Sequence, residues 1–201
     1  MSLGHPGIET LEAYASGGLQ AGARLVVGVH LTGCAACRHE IARIETLAGV
    51  LLEDADPQTL RPEAFAEVMA RLDAPAPVEP PRLALNDLMR KSLWIPFGTG
   101  LAIKPLNRYA DAGEHLCMIR ARPGVALPDH GHNGMERLVV ITGAVDDNSG
   151  RYLAGDLAEM GPEDRHQPVA TGAETCLCLS ATDAPLKLSG VARWIQPLIG
   201  L

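Results

Sequence analysis

Four prolines crowd into residues 74–81, read as APAPVEPP. Proline fixes φ and has no N–H, so neither a helix nor a central strand runs through such a stretch. The run favours extended polyproline II, and at about 3.1 Å per residue it spans roughly 25 Å. The chain of 201 residues therefore divides into residues 1–73, a Pro-rich linker over 74–91, and residues 92–201.

The two sides carry different hydrophobic patterns. Before the linker, Ile8, Leu11 and Ala15 suit a short amphipathic helix, and Leu19–Leu31 a second. Ile41, Ile44, Leu47, Ala48 and Leu51 recur at three- and four-residue steps, the helical period. Pro62 opens a fourth helix that places Phe65, Val68, Met69 and Leu72 on one face. A body this small buries a thin core, so an added staple is expected. After the linker, Leu116–Ile119, Leu138–Ile141 and Thr175–Leu179 read as short strands between Gly- and Pro-rich turns. The fold class expected is multidomain α + β, a small four-helix domain followed by an antiparallel β-barrel of jelly-roll type.

Composition narrows the function. The formal net charge of −7 gives no electrostatic attraction to nucleic-acid phosphates. With only 2 Trp, 3 Tyr and 2 Phe, the chain has too few rings to stack single-stranded bases. No apolar run reaches the roughly 20 residues of a membrane span, and no signal peptide is expected at the N-terminus. Five cysteines, two of them as C-x-x-C, suit metal or thiol chemistry in a reducing, cytoplasmic setting rather than a disulfide scaffold. Residues 1–73 hold 5 Arg against 10 acidic residues, a net of −5 that suits a basic protein partner.

Two constellations carry chemistry. The first, HLTGCAACRHE, gives His30-x3-Cys34-x2-Cys37. Steps of four and three on a helix bring these side chains to one face. Two thiolates and an imidazole suit zinc, and a structural zinc site needs a fourth donor. His5 is the best placed, if the first helix folds back across the site, and His39 is the alternative. A redox dithiol and inert cysteines are the competing readings. The stretch resembles the zinc-binding domain of bacterial anti-sigma factors, in which an upstream His, matched here by His5, completes the site.

The second constellation is Gly124-x5-His130-x-His132-x3-Glu136-x6-Gly143. His130 and His132 share a strand face, and the Asn133-Gly134 turn is expected to return Glu136 on the neighbouring strand of a hairpin. His166 follows after the Gly155-Asp156 turn. Three imidazoles and one carboxylate suit Zn2+, Fe2+, Mn2+ or Ni2+ alike. This spacing resembles the first motif of the cupin family. The second cupin motif is met in part, by Gly155, Pro162 and His166; Asp164 stands where Gly is usual, and the family's Asn is absent.

In this order the two halves resemble the ChrR-type anti-sigma family. That resemblance implies a helical domain that binds an extracytoplasmic-function-type sigma factor, and a cupin domain that releases it under oxidative stress, singlet oxygen being the family's cue. Self-association through the cupin domain is a further expectation, and direct nucleic-acid or membrane binding is not expected. The competing class is a cupin metalloenzyme, a dioxygenase or isomerase with an accessory helical zinc domain. Cys117, Cys176 and Cys178 read as small core residues, with a reactive pair at Cys176 and Cys178 the alternative. Trp94 and Trp194 read as packing residues, and Glu40, Glu45 and Glu53 as a solvated helix face or a contact with partner Arg and Lys.

Overall fold

A computed structural model describes residues 4–72 and 93–189. The Pro-rich segment and Trp194 lie outside the described residues. Four helices come first: α1 (Ile8–Ala15), α2 (Ala21–Gly33), α3 (Ala35–Glu53) and α4 (Ala64–Leu72). The stretch from His30 to Cys37 is not one helix, as its spacing suggests. Cys34, with ψ at 102°, ends α2 and begins α3, and its Sγ accepts a hydrogen bond from the Cys37 amide. A side chain that caps the next helix competes with continuation of the last one.

Twelve strands follow: β1 (Ile95–Pro96), β2 (Leu101–Pro105), β3 (His115–Ala121), β4 (His130–Gly131), β5 (Glu136–Thr142), β6 (Ala144–Asp147), β7 (Gly150–Leu153), β8 (Leu157–Met160), β9 (Arg165–His166), β10 (Val169–Thr171), β11 (Cys176–Thr182) and β12 (Lys187–Leu188). They form a six-stranded sheet in the order β1-β2-β3-β11-β5-β8 and two three-stranded sheets, β10-β6-β7 and β12-β4-β9. Every pairing is antiparallel. Among the described residues this is a flattened barrel, not a continuously hydrogen-bonded cylinder.

The large sheet is buried on both faces. Cys117, Ile119, Leu138, Val140, Ala158, Met160 and Cys178 pack inward with Val145, Tyr152, Ala170 and Leu188 of the smaller sheets. The alternate residues Leu116, Met118, Val139, Leu157, Leu179 and Ala181 point outward into a second core, shared with Leu11, Ala23, Val26, Val27, Leu31 and Ile41 of the helices. The strands read as nearly continuous apolar runs because both faces need apolar side chains. Val26 and Val27 are fully buried, worth about 1.5–3 kcal/mol each. The helical region thus has no separate thin core; the barrel completes it.

Amphipathic periodicity locates the later helices but not their cover. Leu47, Val50, Leu51 and Leu52 of α3, and Phe65, Val68, Met69 and Leu72 of α4, are all exposed. Phe65 stands 76% and Leu72 70% open, so the core expected from these faces is not formed within the described residues.

Two candidate metal centres

The helical cluster gathers His5 from the turn before α1, His30 from the last turn of α2, Cys34 at the α2–α3 junction and Cys37 from the first turn of α3. One donor atom from each lies within 4.8 Å of the others. The His5 Nδ1 is 3.3 Å from both sulfurs, and the His30 Nε2 is 3.3 Å from the Cys37 Sγ. Tetrahedral zinc with N and S donors places its ligand atoms about 3.3–3.8 Å apart, so this donor set fits such an ion. The His30 Nδ1 donates to the Gly155 carbonyl oxygen at 2.7 Å, which leaves the Nε2 lone pair facing the sulfurs. Burial holds the His30 ring below its ordinary value and so favours the neutral, ligating form. Burial, aided by the neighbouring Cys34, pushes the Cys37 thiol up to about 12. An incoming cation must therefore displace that proton. The alternative fourth donor, His39, is exposed and outside the cluster.

The barrel cluster is buried at all four positions, His130, His132, Glu136 and His166. His130 and His166 are direct partners across β4 and β9, with Nε2 atoms 2.9 Å apart. Glu136 Oε2 lies 2.9 Å from His132 Nε2 and 3.4 Å from His130 Nε2. Glu136 does not return on a hairpin partner of β4. It opens β5 in the large sheet, because Asn133 bonds the Pro185 carbonyl and the Met135 amide bonds Asp183, which carries the turn across from one sheet to the other.

Each donor is held from behind. His130 Nδ1 donates to the Pro128 carbonyl, His132 Nδ1 to the Asp164 carbonyl, and His166 Nδ1 to Asp147 at 2.7 Å. Ser180 donates to Glu136 Oε1 at 2.6 Å. With the three Nδ1–H groups directed outward, three Nε2 lone pairs and a carboxylate oxygen converge on one buried point, an arrangement that calls for a cation or shared protons. Burial opposes charge on Glu136, yet the three imidazoles hold it well below the carboxylate range. Burial also opposes charge on His166, but Asp147 and Glu136 outweigh it and raise the ring to about 9 in the metal-free site.

Sequence reasoning missed Asp147 and Ser180. Asp147 sits in a run of polar residues that reads as a turn, and Ser180 in an apolar strand, so neither carries a local signal. Cys117, Cys176 and Cys178 are all buried, and the last two sulfurs lie 3.5 Å apart. Trp94 packs beneath the Arg120 guanidinium. No described helix is long and apolar enough to cross a membrane.

The anti-sigma-E factor ChrR of Cereibacter sphaeroides is 37% identical over an alignment 203 positions long that covers 93% of this chain and 93% of that protein. The chain belongs to the ChrR family. The sequence profile of the ChrR cupin-like domain matches residues 88–185 and so includes the whole barrel cluster. Among solved structures, the ChrR family is represented by the crystal structure of Rhodobacter sphaeroides SigE in complex with the anti-sigma ChrR. It aligns with a TM-score of 0.75 at 34% identity, over 89% of this chain and 97% of the matched chain. The four helices followed by an antiparallel cupin-like domain are thus the ChrR architecture.

Proposed function

We propose that this chain is a cytoplasmic anti-sigma factor that sequesters an extracytoplasmic-function-type sigma factor and is not an enzyme. The observation that carries the reading is the apolar surface left open on the distal half of α3 and on α4. Monomeric proteins rarely leave this many large apolar side chains open on neighbouring stretches of helix without a partner. The acidic charge of residues 1–73 suits a basic partner face around that apolar centre. Family membership supports the same partner class, since the ChrR of Rhodobacter sphaeroides is seen bound to SigE.

His5, His30, Cys34 and Cys37 would hold Zn2+, which would cross-link the start of α1 to the α2–α3 junction and so fix the angle at which α3 leaves the barrel. His130, His132, Glu136 and His166 would hold Zn2+ or another divalent ion, Fe2+, Mn2+ or Ni2+, and supply a ligand-exchanging or redox-responsive centre. Oxidative stress, singlet oxygen among its forms, acts in this reading on the barrel, and sigma is released from the helices.

The test is binding of candidate sigma factors to the full chain, measured by size-exclusion chromatography and calorimetry. Phe65→Asp with Leu72→Asp should weaken binding at least tenfold while leaving the melting temperature unchanged, because both side chains are already exposed. Full affinity in that double variant would show that α4 is not the docking surface. His130→Ala with His132→Ala should leave sigma binding intact and blunt its release by oxidants.

A further inference from the structure

We infer that residues 155–166 tie the two clusters together, so that the state of the barrel centre sets the cation affinity of the helical centre. The inference rests on the proposed reading of both clusters as metal centres and adds a regulatory link between them.

The segment bonds one imidazole of the helical cluster and the backbone next to the other. The Gly155 carbonyl accepts from His30 Nδ1 at 2.7 Å, and the Leu157 amide donates to the carbonyl of Gly4, the residue before His5, at 3.0 Å. Two residues on, Glu159 accepts from the Gly7 amide and the Thr10 hydroxyl, each at 2.6 Å. Helix α1 has no side-chain cap of its own, so Glu159 supplies it from the barrel. Glu159 is itself fixed by Arg137 at 3.1 Å.

The same segment then enters the barrel cluster. Met160 pairs with the donor Glu136, the Asp164 carbonyl accepts from His132 Nδ1, and His166 is itself a donor. The turn that presents the Gly155 carbonyl is bonded to β5, the strand that begins at Glu136, through Gly155 N to Val140 O and Val140 N to Asp156 O. A shift of β5 and β8 at the barrel centre is therefore carried to the outer hydrogen bonds of the helical centre, without a loose joint between.

The physical consequence follows from two general rules. Partners behind a ligating imidazole fix its ring and tautomer, and losing one weakens metal binding by about 10–100-fold. Coupling between two sites is reciprocal, so a cation in the helical centre steadies the barrel centre by the same factor. Glu159 is a positioning residue in this scheme. Its outward position on β8 is set by the strand period, since its neighbours Ala158 and Met160 face the barrel interior.

The experiment uses the full chain, stripped of metal and titrated with Co2+ against a competing chelator. Thiolate-to-cobalt charge-transfer absorption reports the helical centre alone, because the barrel cluster offers only N and O donors. Glu159→Gln perturbs the tie at the helical end, and Asp147→Asn at the barrel end without removing a donor. Each should weaken the helical-centre affinity about tenfold, with far-UV spectra and melting close to wild type. Should Asp147→Asn not fold, Ser180→Ala, which removes the hydroxyl bonded to Glu136, takes its place. A helical-centre affinity within twofold of wild type in the barrel-end variant overturns the coupling, whatever Glu159→Gln does. A wild-type protein with no thiolate–cobalt band would instead sink the metal reading of the helical cluster, and the coupling with it.

Discussion

Removal of the Glu114 carboxylate should destabilise the helical region from a residue that belongs to the barrel. Glu114 is buried and accepts from the amides of Gly22 and Ala23, each at 2.7 Å, and of Asp111 at 3.1 Å. Gln20, the residue before α2, makes no side-chain cap, and the Ala21 amide is bonded by Asp111 at 2.8 Å. The start of α2 is thus capped wholly by carboxylates that lie some ninety residues further along the chain. A lost cap costs about 1 kcal/mol, and a partly buried charge at a helix terminus adds up to about 2 kcal/mol. Glu114→Ala should therefore cost about 3 kcal/mol and lower the melting temperature by about 6–12 °C in a chain of this length. Far-UV circular dichroism of the metal-loaded full chain measures it. Gly22→Ala sharpens the test, because a Cβ there would sit 2.8 Å from the Glu114 carboxyl group. Helix propensity alone favours Ala over Gly by about 1 kcal/mol, whereas the tertiary contact makes this substitution destabilising. A Glu114→Ala variant that melts within about 1 °C of wild type, or a stabilised Gly22→Ala, would refute the reasoning.

Cys37→Ser should abolish zinc retention by the helical centre through dialysis against a chelator, as elemental analysis would register. Because the Cys37 thiol is pushed up to about 12 without metal, cation uptake at the helical centre should release protons and strengthen steeply with pH, measurable by titration in buffers of different ionisation enthalpy. In the metal-free protein, His166 is raised from 6.5 to about 9, so its contribution to stability is full below about pH 6.5 and is lost as pH rises through about 9. Melting temperatures of metal-free protein should fall across that window, and the fall should be smaller in Asp147→Asn, which lacks the charge that raises His166.

The residues that converge in the two clusters were legible in sequence, because their chemistry is carried by residue type at short range. His30, Cys34 and Cys37 lie within one turn-to-turn span, as do His130, His132 and Glu136. Helices and strands were legible wherever an apolar period repeated, as in Val26 and Val27 or Leu138 to Val140. What covers an apolar face was not. The periods of Ile41 and of Phe65 look alike in sequence, yet Ile41 is buried in the core that the helices share with the barrel and Phe65 is open.

Only the tertiary structure decided that the barrel caps and braces the helices. Glu114, Glu159, Asp147 and the Gly155 carbonyl carry no signal in their own neighbourhoods, since a carboxylate or a carbonyl acquires its role from N–H groups that arrive from distant chain. Local spacing sets which atoms can bind a cation; the fold sets which atoms stand behind them, because hydrogen bonds across sheets and domains depend on where strands come to lie in space.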